Sequence, residues 1–71
     1  MSPFEELLIR AIDQTRRDRA CVSVPTRYLS IRLSLMGLNI PDRSLRHHLN
    51  NLEKSGYVNR PIGPKSGWAV V

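Results

Sequence analysis

The sequence predicts an α+β domain that is mainly helical, in which three helices precede a small antiparallel β-hairpin. Apolar residues recur at helical spacing in three separate segments, and residues 57–71 read as two short strands around a loop rich in Pro and Gly. With 71 residues, of which 41% are hydrophobic, we expect the chain to form one globular domain over residues 1–71.

The first helix is predicted over about residues 3–16. Ser2 is a suitable N-cap, Pro3 suits the first helical position, and Glu5 stands three residues after the cap, as a capping box requires. The residues that follow form one apolar stripe along the helix, made of Phe4, Leu7, Leu8, Ala11, Ile12 and Thr15.

A short strand and a second helix are predicted next. Residues 21–24 (Cys-Val-Ser-Val) are rich in β-branched valine, and Pro25 disfavours helix in the residue before it, so we expect a strand there. Cys21 is then most simply a small buried strand residue. Pro25 opens a helix over about residues 25–36, and Gly37 is suited to end that helix in a left-handed conformation.

The third helix is predicted over about residues 41–55. Its inward stripe consists of Leu45, Leu49 and Leu52, with His48 at the edge of the core. At about 100° per residue, the opposite side of this helix carries a polar set. That set is Arg43, Arg46, His47, Asn50 and Lys54.

The chain changes from helix to strand at Gly56. Glycine takes the positive φ of a helix C-cap at no steric cost, which ends the third helix. The residues on either side of the 61–67 loop then alternate as strands, and together they predict a hairpin over residues 57–71. Trp68 is expected to close the core beneath this loop.

Positive charge dominates the chain after the first helix. The formal net charge is +5, and the pI is near 10.4. Residues 1–18 contain four acidic and three basic residues, whereas residues 19–71 contain eight basic and two acidic ones. Such an excess of basic residues on one part of a small domain favours a polyanionic partner.

Several function classes lack the residues that they need. The sequence has no Gly-rich phosphate loop, paired-carboxylate motif or Ser/His/Asp spacing, so we expect no enzymatic activity, no cofactor and no small-molecule ligand. His47 and His48 point about 100° apart on a helix, without Cys, Asp or Glu at ligand spacing, which argues against a metal site. One cysteine, and no signal peptide or apolar run of about 20 residues, predict an intracellular protein without a membrane partner.

The order of these elements, and the residues that carry it, resemble the winged helix-turn-helix family. The match is strongest over residues 44–60, where Leu49–Arg60 (LNNLEKSGYVNR) is similar to the end of the recognition helix and the first wing strand of MarR-like, GntR-like and LexA-like regulators. Residues 28–41 are similar to the first helix and turn of that motif. The resemblance implies a transcription regulator that binds double-stranded DNA, with helix 41–55 in the major groove and the 61–67 wing on the adjacent backbone or minor groove.

Side chains on the outward side of the third helix suit base reading. Arg43 and Arg46 can donate forked hydrogen bonds to guanine O6 and N7, and Asn50 can pair with adenine N6 and N7. His47 can donate or accept at a base edge or a phosphate, according to its tautomer.

A second set of residues is expected to contact the DNA backbone. In winged helix domains the start of the second helix touches phosphate, and free amides at a helix start favour the same contact. Basic residues in the wing are placed for the adjacent minor groove or its phosphates. The expected phosphate contacts are Thr26, Arg27, Ser30, Ser44, Lys54, Arg60 and Lys65.

A second apolar line on the second helix suggests an alternative role. It consists of Tyr28, Ile31 and Leu35, beside the inward stripe of the same helix. An unpaired apolar stripe is typical of an interface. It would serve either a homodimer, which suits a palindromic site, or a winged helix that acts as a protein–protein interaction module.

The spacing from Gly56 to Trp68, with a proline in the loop, also resembles the winged helices that bind left-handed DNA or RNA. Two residues depart from that pattern. Asn50 stands where that family places a base-stacking tyrosine, and Arg46 stands where it places an asparagine. These departures favour the right-handed duplex as the partner.

Overall fold

The computed structural model describes residues 2–63 and 65–71. In this part of the chain the fold is α+β and mainly helical, which confirms the predicted class. The elements are α1 (Pro3–Arg19), α2 (Thr26–Leu35), α3 (Asp42–Lys54), β1 (Val58–Asn59) and β2 (Ala69–Val70), and the two strands form an antiparallel sheet. None of these helices is both long enough and apolar enough to cross a membrane.

The start of α1 has the predicted capping box. The Ser2 hydroxyl accepts a hydrogen bond from the Glu5 N–H at 3.2 Å, and the Glu5 carboxylate accepts one from the Ser2 N–H at 3.3 Å. His48 of α3 adds to this pair, because its Nδ1 lies 3.5 Å from Glu5 Oε2 and its ring packs edge-on against Phe4. These contacts, led by the hydrogen bond from the Ser2 backbone, lower the pKa of Glu5.

α1 extends beyond its predicted end near residue 16 and continues to Arg19. A side-chain pair one turn apart supports the extension, since Arg17 lies 3.2 Å from Asp13 in an ion pair. Such a pair on an exposed face adds no apolar residue to the stripe from which the end was predicted. Ala20 then ends the helix in the left-handed conformation, with φ of 50°.

The predicted strand over residues 21–24 is not observed, because only Val24 pairs as a strand residue does. Val24 forms an isolated antiparallel bridge with Trp68, in which each N–H donates to the carbonyl of the other at 2.8 Å. The Cys21 N–H instead bonds back to the end of α1. β-Branched residues favour extended backbone, but a strand also needs a neighbour, and β2 pairs with β1.

Proline and glycine mark the ends of α2 and α3. Pro25 and Pro41 are the N-cap residues, so each helix begins one residue after its predicted start. Beyond the opposite ends, Gly37 and Gly56 have φ of 86° and 83°, the left-handed region in which only glycine avoids a steric penalty. Predicted and observed bounds of both helices therefore differ by one residue at each end.

The core lies between the three helices and the hairpin. Its buried side chains are Leu8, Ala11, Ile12, Thr15, Val24, Leu29, Leu33, Leu45, Leu49, Leu52, Val58, Trp68 and Ala69. Through its three leucines, α3 packs against α1, α2 and β1. Since side chains one helical turn apart share a face, this packing fixes the rotation of α3 about its own axis.

The hairpin is short, and Trp68 anchors it to the helices. Val58 pairs with Val70 across the sheet. Immediately before β2, Trp68 is 4% exposed, and its indole N–H donates to the hydroxyl oxygen of Thr26 at 3.0 Å. Trp68 thus closes the core beneath the 61–67 loop, as the sequence predicted, and joins that loop to the start of α2.

Gly67 is the position where the hairpin backbone most closely approaches its neighbour. Its φ is 106°, and a Cβ added there would lie 2.6 Å from the carbonyl carbon of Val24. We expect Gly67→Ala to lower the free energy of unfolding by about 3 kcal/mol, from backbone strain and steric conflict together. Urea denaturation measures this, with Gly37→Ala as the control.

The control shares the strain but lacks the conflict. Gly37 has φ of 86°, and a Cβ added there meets no atom within 4 Å. Its substitution is expected to cost about 1 kcal/mol. Equal losses in the two variants would contradict the assignment of Gly67 to a close backbone approach.

Ionised Glu5 is expected to stabilise the fold at neutral pH. Because its folded-state pKa lies below the ordinary value of 4.5, the stabilisation is fully present above about pH 4.5 and disappears as the pH falls through the lower, folded-state pKa. Glu5→Gln should therefore lower the free energy of unfolding at about pH 7. The gap, which is the difference in free energy of unfolding between parent and variant, should narrow towards about pH 3. Urea denaturation at both pH values measures the gap. Glu6→Gln is the control, and a pH-independent gap for Glu5→Gln would refute the expectation.

Candidate nucleic-acid interface

The side of α3 that faces away from the core is exposed along its length. With the leucine stripe buried, a turn of about 100° per residue directs the polar set towards solvent. All five side chains predicted for this side are exposed, namely Arg43, Arg46, His47, Asn50 and Lys54. Ser44, on the flank of the helix, is exposed as well.

The cations on this side have no acidic partner among residues 2–63 and 65–71. The ion pairs there join Arg17 to Asp13, Arg32 to Asp18 and Arg60 to Glu53, and His48 Nδ1 lies 3.5 Å from a Glu5 carboxylate oxygen. None of these pairs includes Arg27, Arg43, Arg46, Lys54 or Lys65. Cations that are not neutralised in an ion pair raise the local positive potential.

A groove of about 470 Å³ opens beside the outward side of α3. Three parts of the chain that are distant in the sequence line it: the start of α2, the middle of α3 and the hairpin. The lining residues are Pro25, Thr26, Arg27, Arg46, Asn50, Arg60, Lys65, Gly67 and Trp68. Four of these are Arg or Lys and none is acidic, so the groove suits a negatively charged ligand.

The start of α2 contributes hydrogen-bond donors to the groove. Pro25 is the N-cap and makes no side-chain cap, so the first-turn N–H groups of α2 lack a side-chain acceptor. The Thr26 hydroxyl accepts its hydrogen bond from Trp68 and therefore keeps its own proton for donation. Arg27 follows with an exposed side chain. Donors and positive charge thus occur together at this helix start.

Arg60 lines the groove with its charge already engaged. Its Nε and Nη2 donate to the two carboxylate oxygens of Glu53 at 3.0 and 2.8 Å. Its guanidinium carbon lies 4.9 Å from the centre of the Trp68 ring. The side chain is 30% exposed. The sequence predicted Arg60 as a phosphate contact, whereas the structure places it in a forked ion pair that joins α3 to the hairpin.

The other predicted phosphate contacts are divided among three places. Thr26, Arg27 and Lys65 line the groove. Ser44 and Lys54 lie on the exposed surface of α3 outside the groove lining.

Ser30 is separated from the rest of that set. It lines a different cavity, of about 550 Å³, beside the turn between α2 and α3. Ile31, Leu35 and Ile40 share that lining. The structure therefore brings two of the three predicted α2 residues to the groove and leaves Ser30 with the apolar line.

The predicted apolar line on α2 divides into two parts. Tyr28 packs against the core, and its hydroxyl oxygen accepts a hydrogen bond from Arg19 Nη1 at 2.7 Å. Ile31 is 53% exposed and Leu35 is 84% exposed. Tyr28 is thus a structural residue, and the exposed apolar surface is centred on Ile31 and Leu35.

Glu53 and Gly67 belong to the site although the sequence analysis did not assign them to it. Glu53 holds Arg60, and Gly67 permits the hairpin to approach the start of α2. The signal for Glu53 was an acidic residue and a basic residue on opposite sides of the helix–strand turn at Gly56. Because α3 ends between Glu53 and Arg60, helical periodicity does not relate the two residues, and the pairing is not visible in the pattern.

Neither metal ligands nor known relatives add a further assignment. Among the described residues, no group of three or more His, Cys, Asp or Glu side chains is arranged to hold a metal ion. A scan against protein-family models, and searches of curated proteins and of solved structures, found no significant match. The exposed cations and the groove are therefore the features on which an assignment of function depends.

Proposed function

We propose that this chain is a winged helix-turn-helix protein that binds double-stranded DNA and regulates transcription. In this proposal α3 enters the major groove, and the 61–67 loop acts as the wing on the adjacent backbone or minor groove. One observation carries it: Arg46, which forms no ion pair with the described residues, and Asn50 of α3 line the same groove as the start of α2 and the hairpin. Each of these three parts supplies a different kind of DNA contact.

The dimensions of α3 support its role as the reading element. An α-helix with its side chains is about 10–12 Å across, and the major groove of B-DNA is about 12 Å wide. α3 has 13 residues, and its outward side has no carboxylate-bound arginine in the described part of the chain. Such a helix can enter the groove without first breaking an ion pair.

The base-reading residues lie along the outward side of α3. Arg43 and Arg46 have the forked guanidinium donors that match guanine O6 and N7. Asn50, one turn after Arg46, has the donor and acceptor that match adenine N6 and N7. His47 lies between them with either a donor or an acceptor.

Backbone contacts are assigned to the groove itself. Thr26 can donate its free hydroxyl proton to a phosphate oxygen while it accepts from Trp68, and hydrogen bonds in such a series strengthen one another. The first-turn amides of α2, with Arg27 beside them, favour the same anion. Lys65 approaches from the hairpin as a point charge. A phosphate would therefore meet donors from two directions.

The five cations of the proposed interface that form no ion pair with the described residues (Arg27, Arg43, Arg46, Lys54 and Lys65) predict strongly salt-dependent binding. Neutralising about five phosphates gives a slope of roughly −4 to −5 in a plot of log affinity against log salt.

Two substitutions separate the proposed roles. Arg46→Ala should weaken binding to the preferred duplex by about 1–3 kcal/mol and relax one base position. Lys65→Ala should weaken all sequences alike and flatten the slope by about one. Selection from random duplexes, followed by salt titration, measures both effects.

Arg17→Ala is the matched control for this experiment. Arg17 is an arginine on α1 whose side chain is 75% exposed, and it does not line the groove. Its substitution removes the same charge from the chain but should leave both site preference and salt slope close to those of the parent. If all three variants bind duplex equally well, the proposed interface is incorrect.

The exposed apolar surface on α2 favours a second candidate function, a protein–protein interaction module or homodimer. Ile31 and Leu35 together leave more apolar surface in water than an isolated exposed residue does.

Leu35→Ser should leave the free energy of unfolding within about 0.5 kcal/mol of the parent, because an 84% exposed side chain contributes little to the core.

Sedimentation of the parent and of Leu35→Ser tests whether this surface is an interface. If the surface is an interface, the parent sediments as a dimer or with a partner after nuclease treatment, and the variant does not. Ser34→Ala, which alters a polar residue in the same cavity lining, is the control. Identical monomeric sedimentation of parent and variant would contradict the interface.

A further inference from the structure

Four side chains form a continuous series of contacts around the groove, which we call the Arg60 clamp: Glu53, Arg60, Trp68 and Thr26. Arg60 binds both carboxylate oxygens of Glu53 and covers the Trp68 ring, while the Trp68 indole N–H binds Thr26. Glu53 lies in the last turn of α3, Arg60 directly follows β1, Trp68 directly precedes β2, and Thr26 is the first residue of α2. Every part of the proposed DNA interface is thus joined to the next.

We propose that Arg60 is a positioning residue, and that the pairing of Arg60 with Glu53 sets the specificity of DNA recognition by holding the wing at a fixed distance from α3. This inference rests on the proposed function. It differs from the sequence-based expectation, in which Arg60 itself contacts phosphate. In the clamp, Arg60 acts on DNA only through the residues that it places.

The geometry of the pair supports a positioning role. Forked donation at 3.0 and 2.8 Å fixes the plane of the guanidinium, whereas a single contact would leave it free to rotate. The guanidinium carbon lies over the Trp68 ring, 4.9 Å from its centre, where a cation is attracted by the π-electrons. A phosphate that drew Arg60 away from this position would have to compete with both contacts. The pair is about 30% exposed, so solvent weakens it less than it would a fully exposed pair.

The clamp also explains why a carboxylate lies near a surface proposed to bind an anion. Glu53 repels DNA, so it would be unfavourable unless it served another purpose. Bound to Arg60, it lowers the positive charge of the groove by one and ties the end of α3 to the hairpin. Removing its charge should release Arg60 towards phosphate. Affinity for any duplex would then rise, while discrimination between sequences would fall.

Glu53→Gln is the principal test, because it removes one charge and almost no volume. Relative to the parent, we expect tighter binding to random-sequence duplex and a salt slope steeper by about one. The ratio of preferred to random affinity should fall by about tenfold, the effect of losing one fixed register contact.

Arg60→Lys is the complementary variant, because it keeps the positive charge but loses the fork and the planar stack. We expect its affinity for the preferred DNA site to fall by about tenfold, because the positive charge that it retains does not replace the lost contacts. Arg17→Lys is the control. Arg17 is an exposed arginine outside the groove lining, so the same exchange there should leave binding within about twofold of the parent.

Trp68 provides a readout that does not involve DNA. It is the only tryptophan in the sequence, so its fluorescence reports this position alone. In protein without DNA, acrylamide should quench Trp68 more strongly in Glu53→Gln and Arg60→Lys than in the parent, because the guanidinium no longer covers the ring. Urea denaturation of both variants establishes that the fold is retained.

The outcomes separate the inference from the proposed function. If the parent binds no duplex, the proposed function is wrong, and the quenching experiment still decides whether the clamp exists. If the parent binds duplex and Arg60→Lys binds like it, Arg60 is a phosphate contact and the inference is overturned. Unchanged quenching and unchanged sequence discrimination in Glu53→Gln would overturn it as well.

Discussion

Leu45, Leu49 and Leu52 are each at most 2% exposed, and through them α3 packs against α1, α2 and β1. In a domain of 71 residues, the loss of one such leucine costs about 2–5 kcal/mol, a large part of a typical stability of about 5–15 kcal/mol. This burial therefore sets the rotation of α3 about its axis. A rotation of one residue, about 100°, would bring Arg46 into the core. The exposure of the polar side of α3 thus follows from the packing of its apolar side.

The hairpin needs more than its own hydrogen bonds to hold a position relative to α3. Each strand has two residues, and an isolated two-stranded hairpin is marginal in water. Trp68 supplies the attachment through its burial, its bridge to Val24 and its bond to Thr26. Gly67 permits the approach because no side chain fits against the Val24 backbone. The loop between the strands is therefore held by contacts to the helical layer, and any function of that loop depends on them.

Local periodicity predicts most of this fold because most of it is local. The helices follow from apolar spacing, from the Ser2 cap and from glycines after α2 and α3, all of which act within a few residues. The absence of the predicted strand at 21–24 depends instead on contacts that are distant in the sequence. Its extended preference is local, but pairing depends on where β2 lies, about 45 residues later. The contacts of Arg60 were not predictable for the same reason, since Glu53 and Trp68 come close to it only after the chain has folded.

Net charge alone does not identify an anion-binding surface, because cations serve two purposes in this chain. Arg17, Arg32 and Arg60 are held by carboxylates. The hydrogen bond from Gln14 and, after it, the hydrogen bond from Arg32 lower the pKa of Asp18. Among the described residues, the cations without a carboxylate partner include Arg10, Arg16 and Arg19 on α1. The other five belong to the outward side of α3, the start of α2 and the hairpin loop. The net charge includes paired and unpaired cations equally, whereas the folded structure distinguishes them. Repulsion between unpaired cations destabilises a small domain, so the grouping of five of them around α3, the start of α2 and the hairpin loop is a cost that a bound polyanion would relieve.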